Sequence, residues 1–209
     1  MDTSEDNVER GGRSKDADSS RMGKAAEYLV ASTCIIASRA EINVSTALVD
    51  DEGVDLIFHR RDVPSTLAVQ VKARFSDAKT IRDGTYRANV RRETCSSRVD
   101  FYILFVLIDV ANSAVARCWL VPSRDFIERA TCDSLGRYRF TASVKADSRD
   151  QWSPYRLTAA ELPGKILRTL DKVDSYRRTG QPEAANALTE TPGATSVRPE
   201  RTRLAGKEY

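Results

Sequence analysis

Residues 101–108 read FYILFVLI, eight apolar positions in a row closed by Asp100 and Asp109. The run is far too short to span a bilayer. It shows none of the apolar and polar alternation of a half-exposed strand, so it is expected as a central strand covered on both faces. A chain built around such a strand must supply apolar layers to cover it. With 209 residues, 41% hydrophobic and 30% charged, and only 10 glycines and 7 prolines, this chain fits one soluble globular domain. Those values exclude collagen-like, wholly disordered and membrane-spanning classes.

The elements around the run can be placed from periodicity and turn residues. Met22, Ala25, Ala26, Leu29, Val30, Thr33, Ile36 and Ala37 recur at helical spacing and predict a first helix over residues 20–38. Strands are expected at 41–49, 54–59, 66–73 and 114–121, with turns at 50–53 and 62–65. Residues 123–130 open a helix with Ser123 as N-cap. Thr158 and Glu161 form a capping box at the head of a terminal helix to about residue 176, interrupted early by Pro163. Residues 1–20 and 178–209 lack a buried face and are expected as disordered tails around a single domain over residues 21–177. The fold class is therefore α/β (α+β), with a central mixed sheet of about five strands flanked by helices. No internal repeat is present.

Cys34, Cys95, Cys118 and Cys132 are irregularly spaced, with no CxxC and a single histidine in the chain, which argues against a zinc ribbon or a dithiol centre. The first 20 residues are almost wholly polar, so no apolar leader is expected and a reducing cytoplasm is the expected compartment.

Net charge is only +3, but it is unevenly placed. Between residues 72 and 98 stand Lys72, Arg74, Lys79, Arg82, Arg87, Arg91, Arg92 and Arg98 against Asp77, Asp83 and Glu93, a local excess of +5. Such a stretch can displace counterions from a phosphate backbone. It equally describes a solvated face. Within it Tyr86, Ala88 and Val90 alternate with Arg87, Asn89 and Arg91, as in an edge strand, although a short irregular helix also fits. Tyr86 with Arg87, Arg91 and Arg92 could form a surface that tracks a nucleic-acid strand.

Residues two apart on a strand share a face. Asp55 therefore interrupts one apolar strand, and Gln70 and Lys72 interrupt the next. If the two strands form an antiparallel hairpin, the three polar groups meet. Burying them together is costly unless they pair or bind an ion. A hard cation such as Mg²⁺ would take the Asp55 carboxylate, the Gln70 amide oxygen and the Val71 backbone carbonyl as oxygen ligands. Lys72 would then reach a water on that cation. A structural ion pair between Asp55 and Lys72, with Gln70 bridging, fits the same spacing.

The series Gly23-Lys24-Ala25-Ala26-Glu27 on a helix, Gly53-Val54-Asp55-Leu56 on a strand and Gln70-Val71-Lys72 on the next resembles the PD-(D/E)XK nuclease superfamily over roughly residues 20–130. The resemblance implies a restriction-endonuclease-like fold and a Mg²⁺- or Mn²⁺-dependent endonuclease hydrolysing phosphodiester bonds in DNA. Residue by residue, Asp55 resembles the metal-binding aspartate, Lys72 the catalytic lysine and Glu27 the helical glutamate aimed at the metal or its water. Gln70 stands where a second carboxylate is usual. The catalytic set implied is Glu27, Asp55, Gln70 and Lys72; with the Val71 carbonyl read from the strand spacing, the expected metal ligands are Asp55, Gln70, Val71 and Glu27, and the basic excess supplies the expected DNA contacts Arg74, Lys79, Arg82, Arg87, Arg91 and Arg92. Homodimerisation, and work alongside proteins of a defence or mobile-element system, stay open.

Two departures stand out. Val54 replaces the proline of the family pattern, a common change. Gln70 removes a negative charge from the metal site and weakens its pull on a cation, although some active branches carry glutamine there. The alternative function is a catalytically inactive nucleic-acid-binding module on the same fold. His59 lies about 13 Å from Asp55 at strand rise, too far to share a metal, and reads as a surface or phosphate-contacting residue. Trp119 and Trp152 read as packing residues, and Asp50-Asp51-Glu52 as an exposed acidic turn or a second cation site.

Overall fold

The computed structural model describes residues 6–46 and 53–180. The apolar run is strand β5 (Phe101–Asp109), and its alternate side chains divide between two cores. Leu104, Val106 and Ile108 face α1 (Asp6–Ala37) and α4 (Glu161–Thr179), meeting Ala26, Val30 and Cys34 of the first helix and Leu162, Ile166 and Leu170 of the last. Ile103, Phe105 and Leu107 face the other way, towards a second, smaller sheet. Both layers exist because β5 has no polar side. Each fully buried side chain of this size is worth about 1.5–3 kcal/mol.

The main sheet has six strands, ordered β1 (Ile42–Thr46), β2 (Leu56–Arg60), β3 (Thr66–Phe75), β5, β6 (Ala114–Pro122) and β9 (Arg156–Leu157). It contains the five strands expected plus the two-residue β9. The pair β3 and β5 is parallel and the other neighbours are antiparallel, so the sheet is mixed. The second sheet is antiparallel, with β4 (Thr85–Arg91), β8 (Arg137–Ser143) and β7 (Thr131–Cys132) in that spatial order. The short helices α2 (Lys79–Arg82) and α3 (Ser123–Arg129) connect the layers. Between the sheets Phe105 stacks on Phe140 with centroids 3.7 Å apart, and Tyr86, Trp119, Phe126 and Trp152 close around them.

Several local expectations change. Helix α1 begins at Asp6 rather than near residue 20. Residues 6–20 contain no proline, and extending an existing helix costs far less than nucleating one. Ser123 is the first residue of α3 and does not cap it. Its hydroxyl accepts from Arg98 N at 3.0 Å and donates to Arg98 O at 3.2 Å, and Pro122 holds the cap position. Pro163 does not interrupt α4, because it lies in the first turn, where its missing N–H would have had no helical partner. The capping box is present. Glu161 accepts from Thr158 N at 2.8 Å, and Glu161 N donates to Thr158 Oγ1 at 3.3 Å. Among the described residues no helix is long and apolar enough to cross a membrane. The four cysteines carry no disulfide, and burial pushes the thiols of Cys34 and Cys95 up to about 12 and about 11.

Candidate active site

Strands β2 and β3 form the antiparallel hairpin on which the polar cluster depends. Leu56 lies opposite Val69 and Phe58 opposite Leu67, with all four side chains in the helix-side core. Asp55 precedes β2 and is held twice against β3. Its N–H donates to Val69 O at 3.0 Å, and its Oδ2 accepts the Val71 N–H at 2.6 Å. The carboxylate thus sits over the peptide that joins Gln70 to Val71.

Gln70 is 3% exposed and pairs with Ile103 in the centre of the sheet. Its Nε2 donates to Thr94 Oγ1 at 3.4 Å, while its Oε1 has no hydrogen-bond partner. A buried polar atom left in this state costs about 1–3 kcal/mol. Gly53 closes the space beside it. With φ at +70°, a Cβ there would stand 2.5 Å from Thr94 Cβ and 2.7 Å from Gln70 Nε2, so only glycine fits. Thr94, on the 3-10 turn that follows β4, is a site residue the sequence did not reveal, since nothing local ties it to a glutamine 24 positions earlier.

Lys72 is half-buried, two residues beyond Gln70 and on the same face of β3, where it pairs with Phe105. Its backbone carbonyl accepts the hydroxyl of Tyr86, which also donates to Val106 O at 3.4 Å. Tyr86 is fully buried and ringed by Phe105, Trp119 and Phe140. The expectation that it lines a nucleic-acid surface is therefore overturned. It is the inward member of the β4 alternation, and its apolar ring fills the core while its hydroxyl finds carbonyls. Burial pushes that hydroxyl's pKa well above the ordinary value.

Glu27 projects from α1 with its side chain 13% exposed and accepts from Lys24 Nζ at 2.7 Å. That hydrogen bond raises the Lys24 pKa against partial desolvation, and the charges of Glu27, Tyr28 and Asp55 raise it further. Of these charges, that of Asp55 acts most weakly on Lys24. The spacing of three between Lys24 and Glu27 was visible in the sequence, but the role of Lys24 was not. Among the described residues no group of three or more His, Cys, Asp or Glu side chains is placed to hold a metal.

The basic residues separate. Arg74 donates from Nε to Arg87 O and from Nη1 to Ala73 O, both at 2.8 Å, and so fastens β3 to β4. Lys79 and Arg82 are exposed on α2. Arg87 and Arg91 point outward from β4, and Arg92 is exposed on the turn after it. His59 pairs with Asn43 and Thr66 away from the cluster. Trp119 and Trp152 are fully buried packing residues. Asp50, Asp51 and Glu52 lie outside the described residues.

No family model matches the chain. No curated protein matches it either. Among solved structures, it is similar to a bacterial homing endonuclease, I-Ssp6803I, at 21% identity over 72% of this chain and 93% of that one, with a TM-score of 0.44.

Proposed function

We propose that the chain is a divalent-metal-dependent endonuclease of the PD-(D/E)XK type that hydrolyses phosphodiester bonds in DNA. The observation that carries this reading is the Gln70 Oε1 atom, buried and without a partner beside a carboxylate pinned to the adjacent peptide. An amide oxygen in that state suits a hard cation, which takes neutral as well as charged oxygen donors. Asp55, Gln70 Oε1, the Val71 carbonyl and Glu27 are the residues that would hold Mg²⁺ or Mn²⁺. When bound, such a cation polarises the phosphoryl oxygens and offsets their growing negative charge.

The chain's own groups do the rest. Lys72 presents three N–H donors from a strand anchored at its carbonyl by Tyr86, so its ammonium can orient the attacking water and stabilise charge on the phosphate. Glu27, held by Lys24, accepts a hydrogen bond from that water. Hydrolysis forms a bond from the water oxygen to phosphorus and breaks the bond to the leaving sugar oxygen, which takes up a proton. Incubating the purified chain with DNA and Mg²⁺ or Mn²⁺ should yield cuts. Asp55→Ala and Lys72→Ala should each lower the rate by about 10²–10⁴-fold with the circular-dichroism spectrum unchanged. Cleavage indifferent to both substitutions would overturn the assignment.

Gln70 in place of a second carboxylate beside Asp55 favours a second reading, a nucleic-acid-binding module without catalysis. Calorimetric titration with Mn²⁺ separates the two. Heat of binding that disappears in Asp55→Ala supports the nuclease, and no heat in either protein supports the module.

A further inference from the structure

The outer face of the second sheet is not part of the cluster around Asp55, and its chemistry is distinct. In the β4 and β8 pairing Arg87 lies opposite Thr141, Asn89 opposite Arg139 and Arg91 opposite Arg137. These six side chains share one face, and all but the half-buried Arg137 are exposed. Arg137 is paired with Asp133 at 2.9 Å, while Arg87, Arg91 and Arg139 stand on the face without an acidic residue among the six. The aromatic residues of the same strands turn the other way. Tyr86 and Phe140 are fully buried, and Tyr138 packs its ring on Phe126.

This face is fastened to the candidate site at two points. Arg74, two residues after Lys72, donates to the Arg87 carbonyl. Gln70 donates to Thr94, and the Thr94 hydroxyl donates to the Arg91 carbonyl at 3.2 Å. The strand that bears the arginines therefore crosses over the strand that bears Gln70 and Lys72.

We infer that the β4 and β8 ribbon docks in the major groove of double-stranded DNA. This rests on the reading of the chain as acting on nucleic acid and names the substrate class. Seven residues at strand rise give a ribbon about 23 Å long, the length of about seven base pairs. Two strands about 4.8 Å apart with their side chains fit a groove about 12 Å wide. Arginine matches the acceptor pair of guanine and asparagine the acceptor and donor pair of adenine, so Arg87, Arg91, Arg139 and Asn89 offer base-reading as well as phosphate-binding chemistry. A-form RNA has a major groove too deep and narrow for side chains to read. Single strands are held by stacking on exposed aromatic rings, and this face has none.

The test is fluorescence anisotropy on the full chain in EDTA, where binding is read without cleavage. The probes are duplex DNA of about 20 base pairs, its single strand and an RNA duplex of equal length. Duplex DNA should bind about tenfold or more tightly than either alternative. The Arg91→Ala/Arg139→Ala variant should lose about tenfold in duplex affinity and show a log Kd against log salt slope shallower by about 2, whereas Arg91→Lys/Arg139→Lys should keep the slope. Variant binding equal to wild type, or equal or tighter binding of the single strand or the RNA duplex, would overturn the inference. Duplex binding through this face by a chain that never cuts removes the nuclease reading and leaves the docking surface standing. Cutting that persists while the variant binds normally does the reverse.

Discussion

Gly53 sits where no side chain fits. Its φ of +70° is unfavourable for any residue with a Cβ, and a methyl group would press on Thr94 and Gln70 at 2.5 and 2.7 Å. Gly53→Ala should lower the unfolding free energy by about 2 kcal/mol or more, read by urea titration. The loss should be accompanied by a fall in cleavage, because the displaced neighbours are Gln70 and the Thr94 hydroxyl that holds it. Tyr86→Phe removes only the hydroxyl that fixes the Lys72 carbonyl. It should cost about 0.5–1.5 kcal/mol in stability and reduce the cleavage rate through a misplaced Lys72, measured as a fall in kcat. Asp55, Gln70 and Lys72 were legible because each breaks an apolar strand pattern. Thr94 and Tyr86 were not, since their partners lie 24 and 14 residues away and become neighbours only when β4 crosses β3.

At the scale of elements, β4 has the most consequence. Its alternation was readable as an edge strand or as an irregular helix, and pairing with β8 decides between them. The pattern of β8 is weaker, with Tyr138, Phe140 and Ala142 set between Arg137, Arg139 and Thr141, and its apolar partners come from β5, β6 and α3. Phe140 is where the two sheets meet, stacked on Phe105 and in ring contact with Tyr86, Trp119 and Trp152. Phe140→Ala should cost about 3–5 kcal/mol, a fall in Tm of about 10 °C by calorimetry. Helix ends were more legible. The Thr158 and Glu161 exchange needs only local chain, whereas Ser123 is drawn from capping by Arg98, which no local rule foresees.

Across the whole molecule, Asp100 ties the start of β5 to two distant segments. Its carbonyl accepts Ala68 N at 2.8 Å, and its carboxylate meets Arg98 at 2.9 Å and Arg177 near the end of α4 at 3.8 Å. Burial opposes its ionisation, but the Arg98 hydrogen bond and the charges of Arg98 and Arg177 outweigh burial and hold its pKa below the ordinary 3.8. A carboxyl depressed in the folded state stabilises above its unfolded pKa, and that contribution is lost as pH falls through the lower folded value. Urea midpoints should therefore drop more steeply below about pH 4 in the wild type than in Asp100→Asn.

The apolar run at residues 101–108 determined from sequence alone that a strand lies buried between two layers, because eight apolar side chains leave no face for water. Polar interruptions in its neighbours likewise marked Asp55, Gln70 and Lys72, since a charge or amide in an apolar strand demands a partner. Which layer covers which face, and what stands over the polar cluster, required the tertiary structure. Those contacts join residues remote in sequence, as where β4 crosses β3, and no local periodicity encodes a distance between strands that meet only on folding.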